Sequence, residues 1–327
     1  MKRFVTGCAL LALVLQVACV NINVGTGRKA KMVEKVVYGT KGPKILLIDI
    51  DGMISDLAAP RALGYGKRES MVSRVRAQLD RADEDDDIKA VILRINSPGG
   101  TASASEIVYS EIRRFKEEHE IPVIAQLMGV AASGGYYLAM SADTVRALPT
   151  TITGSIGVIF SGVSLSGLME KIGIENQTLT SGPYKDAGSS LRRMSEEERA
   201  QLTSVLDSLY ARFLEVVEAG RPDLSPEEVR VLADGRIFSA AQAEANGLVD
   251  AIGDLPGAVE LAEEKAGIED SQVIAYGRPD EWRENLYSMN APPEPTVTPW
   301  ALLDPISEPA FLYLWWPGAR SVSYTHL

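Results

Sequence analysis

The chain has 327 residues, room for one large domain or two small ones. With 46% apolar and 24% charged residues it can build a sizeable core, which excludes global disorder. A net charge of -11 argues against nucleic acid as a partner and against broad attraction to anionic lipid headgroups.

Lys2 and Arg3 precede an apolar run over residues 4–20, the layout of an export leader. At 17 residues the run is at the short limit for a spanning helix. It ends in Leu15-Gln16-Val17-Ala18-Cys19, where small residues precede a cysteine as in a bacterial lipoprotein cleavage site. Gln16 stands where an aliphatic residue is usual, so lipidation of Cys19 and an uncleaved anchor helix both stay open. Either places the body on the periplasmic or cell-surface side, with Lys2 and Arg3 inside. Residues 1–20 are thus a leader or membrane anchor, and the polar stretch 21–42 reads as a linker.

Residues 44–50 form a continuous apolar run, expected as a strand buried on both faces. Met71, Val72, Val75 and Leu79 recur at helical spacing, and a second buried strand is expected over 90–95. That strand ends in Asn96-Ser97-Pro98-Gly99-Gly100, followed by a helix over about 103–118 and a strand over 122–126. A Gly/Ala/Ser-rich turn and a helix over about 133–142 come next, then short strands over 144–147 and within 151–160. Amphipathic helices are expected over about 195–219 and 225–233, the second announced by Ser225-Pro226-Glu227-Glu228. Strands alternating with helices argue for an α/β fold with right-handed crossovers. Six prolines among residues 291–309 mark a tail, and residues 321–327 fit no element.

Three segments carry chemistry. Glycines in Ser97-Pro98-Gly99-Gly100 let backbone N–H groups approach a ligand closely, although a plain turn would use them too. In Ala131-Ala132-Ser133-Gly134-Gly135-Tyr136-Tyr137, a serine opens a helix after a strand. It is either an ordinary N-cap or a nucleophile beside N–H groups that stabilise an oxyanion. The third is Ser181-Gly182-Pro183-Tyr184-Lys185-Asp186, where a lysine lies in a Gly/Pro loop. A lysine is a base only when desolvated, because the free side chain ionises near about 10.4. The two cysteines, Cys8 and Cys19, leave the body without a thiol nucleophile or a disulfide. The two histidines, His119 and His326, sit in a charged stretch and at the penultimate position. A Ser-His-Asp triad is therefore improbable.

These segments together, with Thr153-Gly154-Ser155-Ile156-Gly157-Val158, resemble the signal peptide peptidase A family, the S49 serine peptidases, over about residues 44–254. The step of 52 positions from Ser133 to Lys185 fits its short single-repeat branch. The resemblance implies a ClpP/crotonase-like α/β superfold of stacked βαβ units, with a peptidase domain over 43–290 and a Pro-rich tail over 291–327. It implies Ser133 as nucleophile and Lys185 as base, and Gly100 and Gly134 as oxyanion donors. Ser155 would orient the lysine. It also implies a homo-oligomer with active sites shared between subunits, peptide substrates such as cleaved signal peptides, and no metal or cofactor. A crotonase-like acyl-transfer enzyme and a non-catalytic membrane scaffold are the alternatives.

Overall fold

The computed structural model describes residues 31–58, 69–279, 281, 283–288 and 310–315. The chain divides into Met1–Lys31 and Met32–Leu327, and every element below belongs to the second unit. The leader, with Cys19, lies outside the described residues. No helix among the described residues is long and apolar enough to cross a membrane.

The core is a sheet whose parallel centre is β2 (Lys44–Asp51), β3 (Ile88–Ser97), β5 (Val123–Ala132) and β6 (Thr144–Ala147). Side chains alternate across it as the two-residue period demands. Leu46, Ile48, Ile50, Val91, Leu93 and Ile95 point into one core, packed under helices α1 (Met71–Ala82), α2 (Ala102–His119) and α3 (Gly134–Ala139). Ile45, Leu47, Ala90 and Ile92 point into a second core, beneath the helix Leu255–Ala266. Both faces are covered, so the strands read as continuous apolar runs.

The long strand β5 extends past the expected residue 126 because it changes neighbours. Its first half pairs with β6 at Ile124–Leu127 and its second half with β7 (Ile152–Gly154) at Val130–Ala132; β9 (Ile237–Ser239) adds to β7 and β10 (Ala251–Ile252) to β6. A second, three-stranded sheet forms from β4 (Gly99–Thr101), β8 (Ile159–Ser161) and β12 (Ala310–Leu314), with β12 in the middle.

Two segments differ from the sequence expectation. Within 21–42, Val33–Tyr38 is strand β1, paired antiparallel with β11 (Gln272–Gly277). Within 291–327, residues 310–314 form β12. Neither strand is autonomous; each gains its hydrogen bonds from a partner distant in sequence.

The helices start where side chains satisfy the free N–H groups of the first turn. Ser70 and Thr101 cap α1 and α2. Beyond α4 (Ser166–Ile172), Ser195 and Glu198 form a capping box at the head of α5 (Glu196–Gly220). Ser225 and Glu228 do the same for α6 (Pro226–Leu232), where Pro226 needs no N–H partner.

Candidate active site

Ser133 stands between the end of β5 and the first turn of α3. Its backbone has φ 51° and ψ -116°, a conformation that non-glycine residues avoid. The turn is held from both sides: Ser133 N–H donates to the Gly154 carbonyl (2.8 Å) and Tyr137 N–H donates to the Ser133 carbonyl (2.8 Å). The Ser133 side chain caps no helix N–H, which removes the N-cap alternative. Its hydroxyl has no hydrogen bond among the described residues, and the residue is 1% exposed. A strained serine that spends its hydroxyl on nothing structural is the arrangement of a nucleophile on a sharp strand-to-helix turn.

The neighbouring glycines follow from crowding. A Cβ on Gly134 would stand 2.6 Å from Ser105 Oγ, and one on Gly135 would stand 2.6 Å from the Ser97 carbonyl oxygen. Gly134 begins α3, so its N–H has no intrahelical acceptor.

The loop leading into β4 forms the opposite wall. Ser97 Oγ donates to the Gly52 carbonyl (2.6 Å) and accepts from Gly99 N–H (3.1 Å). Ile54 N–H donates to the Gly99 carbonyl (2.9 Å), and Thr101 N–H donates to the Ile54 carbonyl (3.0 Å). Gly99 and Thr101 thus spend these groups on Ile54, and Gly100 between them faces the other way. A Cβ on Gly100 would lie 1.9 Å from the Ile54 carbonyl oxygen, so no side chain fits there.

A third wall is the turn after β7. Thr153 Oγ1 donates to the Ala131 carbonyl (2.6 Å), locking β7 to the end of β5. Gly154 (φ 84°) lies so close to Phe238 that a Cβ would meet its ring at 2.6 Å. Ser155 also has positive φ (49°), donates its N–H to the Arg236 carbonyl (2.7 Å), and leaves its hydroxyl unbonded among the described residues. It directly follows the residue whose carbonyl anchors Ser133.

Ser133, Gly134, Gly100 and Ser155 are therefore brought together, and Lys185 is not among their contacts. It lies in an exposed turn, where its N–H donates to the Gly182 carbonyl (3.2 Å). Its ammonium has no ion pair or hydrogen bond among the described residues. The neighbouring Asp186 does: with Glu198 it flanks Arg192, at 2.6 Å on the Asp186 side. His119 is at the far end of α2, 2.8 Å from Asp83.

Sequence reading missed the aromatic group behind Ser133. Tyr109 of α2, Tyr137 of α3 and Phe213 of α5 meet there, with ring centroids 5.2 Å apart for Tyr109–Tyr137 and 5.0 Å for Tyr137–Phe213. Burial holds the Tyr137 phenol well above the usual tyrosine range, and so does its hydrogen bond to Glu106. In sequence these rings look like ordinary apolar helix positions.

The family model for Peptidase family S49 matches residues 115–269, and that for Clp protease matches residues 53–153. A protein of Enterococcus faecium named signal peptide peptidase SppA is 36% identical over 74% of this chain and 70% of its own length. A protease of Synechocystis is 37% identical over 67% of this chain and 76% of its own. The chloroplastic serine protease SPPA of Arabidopsis thaliana is 34% identical over 74% of this chain and 35% of its own. A solved membrane-bound stomatin-specific protease with a substrate peptide aligns at TM-score 0.46 and 16% identity, covering 72% of this chain and 92% of that one. The parallel sheet with its βα crossovers is the ClpP/crotonase-like α/β fold, and peptidase relatives displace the acyl-transfer and scaffold alternatives. The chain belongs to the signal peptide peptidase A family, peptidase family S49, and is a serine-type peptidase.

Proposed function

We propose that the chain is a Ser–Lys dyad peptidase that degrades cleaved signal peptides and other membrane-associated peptides. Residues 1–20 would hold it at the membrane, with residues 43–290 as the catalytic domain outside the cytoplasm and 291–327 as its tail. The observation that carries this reading is the strained Ser133 turn, whose hydroxyl makes no hydrogen bond among the described residues. Ser133 attacks the scissile carbonyl, and the backbone N–H groups of Gly134 and Gly100 receive the oxyanion. Lys185 takes the serine proton and later activates water. Ser155 orients the lysine ammonium.

Because Lys185 and Ser133 do not meet within one chain, the lysine is supplied by a neighbouring copy in a homo-oligomer. The segment carrying Lys185 supports this. Helix α4 buries none of its residues, and Leu168, Ile172, Ile174, Leu179 and Tyr184 all present apolar surface to solvent. Such a patch marks an interaction surface. The name signal peptide peptidase on a relative supports the substrate class.

Peptide hydrolysis by Ser133→Ala and Lys185→Arg variants tests the dyad. Both should lose turnover while keeping the wild-type circular dichroism, since a guanidinium stays protonated and cannot act as a base. An active Lys185→Arg protein would overturn the dyad.

A further inference from the structure

Lys185 sits on an arm that packing does not hold. Between α4 and α5, residues 173–195 form turns and open chain, and none of them is buried. Leu179 and Tyr184 stand in solvent. Burial of apolar area, which fixes most chain segments, contributes little here. Each open residue that is held still costs backbone entropy, so the arm needs polar restraints instead.

Those restraints converge on Arg192. Its Nε and Nη2 donate to the two carboxylate oxygens of Asp186 (2.8 and 2.6 Å), and Nη2 also reaches the Asp186 carbonyl (3.3 Å). Nη1 donates to Glu198 Oε2 (2.8 Å), and Nη2 also meets Glu198 Oε1. Glu198 is 2% exposed and lies in the first turn of α5, where its carboxylate accepts from Ser195 N–H (2.8 Å). Two lesser ties close the base of the arm. Leu165 N–H donates to the Ser190 carbonyl (2.7 Å), and Ser164 Oγ donates to the Arg192 carbonyl (3.3 Å).

The grip falls on the residue next to the base. Lys185 and Asp186 share a planar peptide unit, so holding Asp186 by its side chain and its carbonyl restricts the direction in which the Lys185 side chain leaves the turn. A guanidinium suits this task, because its planar fork pairs two carboxylates at once and stays charged. We propose that Arg192 is a positioning residue for the reaction: it clamps the Lys185 turn to the head of α5, so that the lysine reaches the serine of the neighbouring copy in register. The proposal rests on the Ser133–Lys185 reading and assigns the group that makes the lysine arm stiff enough to serve it.

A clamp that served stability alone would change the amount of folded enzyme and leave the turnover of each folded protomer as it was. A positioning clamp acts on kcat, since a reacting group displaced by about 1 Å can cost about 10²-fold in rate. The substrate meets the Ser133 side of the neighbouring copy, so KM should change little. The Glu198 half of the clamp also completes the capping box of α5, whereas the Asp186 half touches only the lysine turn. The two halves can therefore be cut separately.

The test uses the full chain in detergent and one quenched peptide that the wild type cleaves, with circular dichroism and gel filtration to establish that each variant is folded and assembled. Arg192→Ala should lower kcat about 10²-fold with KM within about 2-fold of the wild type. Arg192→Lys, which keeps the charge without the fork, should recover part of that loss. Asp186→Asn leaves the capping box of α5 intact, so it decides the matter if Arg192→Ala does not fold; its kcat should fall about 10-fold or more. The double variant should be no slower than Arg192→Ala, because the two side chains act as one unit. An unchanged kcat in folded Arg192→Ala or Asp186→Asn, a loss carried by KM alone, or Arg192→Lys no better than Arg192→Ala would each overturn the clamp. Lys185→Arg in the same assay separates this from failure of the dyad. If Lys185→Arg is inactive while Arg192→Ala is unimpaired, only the clamp is lost; if Lys185→Arg turns over like the wild type, the dyad falls and the clamp with it.

Discussion

At Ser133 the chain accepts an unfavourable backbone angle so that a hydroxyl stands free at a helix N-terminus. Backbone strain of this kind costs about 1–3 kcal/mol and persists only where the surroundings impose it. Here the Gly154 carbonyl below and the Tyr137 N–H above impose it. The glycines beside it are equally constrained. Gly100→Ala places a methyl 1.9 Å from a backbone oxygen that cannot swing aside, so the backbone around Gly100, the proposed oxyanion donor, must shift. We expect turnover to fall about 10²-fold or more, with fluorophosphonate labelling of Ser133 retained; an unchanged kcat would remove Gly100 from the site. The glycines were legible in the sequence because crowding at Gly100, Gly134 and Gly135 leaves no room for a side chain. Whether Ser133 is an ordinary N-cap was not legible, since an N-cap and a nucleophile both place a serine before a helix; the φ of 51° and the absence of a capping bond show that it is not one. The aromatic cluster was illegible for the opposite reason: Tyr109, Tyr137 and Phe213 have the types and spacing of any buried helix face.

Among the elements, helices announced themselves through caps. Ser195 and Ser225, each with a glutamate three positions on, begin α5 and α6 as their sequences indicate. The strands β1 and β12 were hidden, since each short strand owes its existence to partners distant in sequence. The junction between the Lys185 turn and α5 is held by charge. The Arg192 guanidinium and the Ser195 N–H draw the Glu198 carboxyl down to about 2, and Arg192 also lowers Asp186. A carboxylate with a depressed folded pKa stabilises above its unfolded pKa and loses that contribution as pH falls through the folded value. The turn should therefore be ordered above about pH 4.5 and loosen between about pH 4.5 and 2. Hydrogen exchange in residues 181–195 across this range checks it: protection that does not fall, or that falls only above pH 5, would contradict the assignment.

For the molecule as a whole, one buried ion cluster ties the end of the peptidase body to its central sheet. Asp49 on β2 accepts from Arg94 on β3 (2.7 Å) and pairs with Arg283 (2.7 Å). Arg94 also donates to the carbonyls of Leu286 and Ser288. Removing the shared anion leaves two guanidinium groups buried without a counter-charge, so Asp49→Ala should lower stability by about 3–5 kcal/mol in urea unfolding. A loss under about 1 kcal/mol would show the arginines compensated elsewhere. The α/β architecture was legible from the apolar runs 44–50 and 90–95, whose continuity requires cover on both faces. The small sheet of β4, β8 and β12 was not, because its strands come from three separated stretches of chain.

The separation of Ser133 from Lys185 within the chain makes subunit sharing the claim most open to test. Ser133→Ala and Lys185→Ala proteins, each inactive alone, are mixed under conditions in which a fluorescence-transfer pair demonstrates subunit exchange, and peptide hydrolysis is followed. Some interfaces in the mixture join an intact serine to an intact lysine, so a fraction of wild-type activity should return as exchange proceeds. Complete exchange with no recovered activity would contradict it, placing both residues of the dyad in one chain.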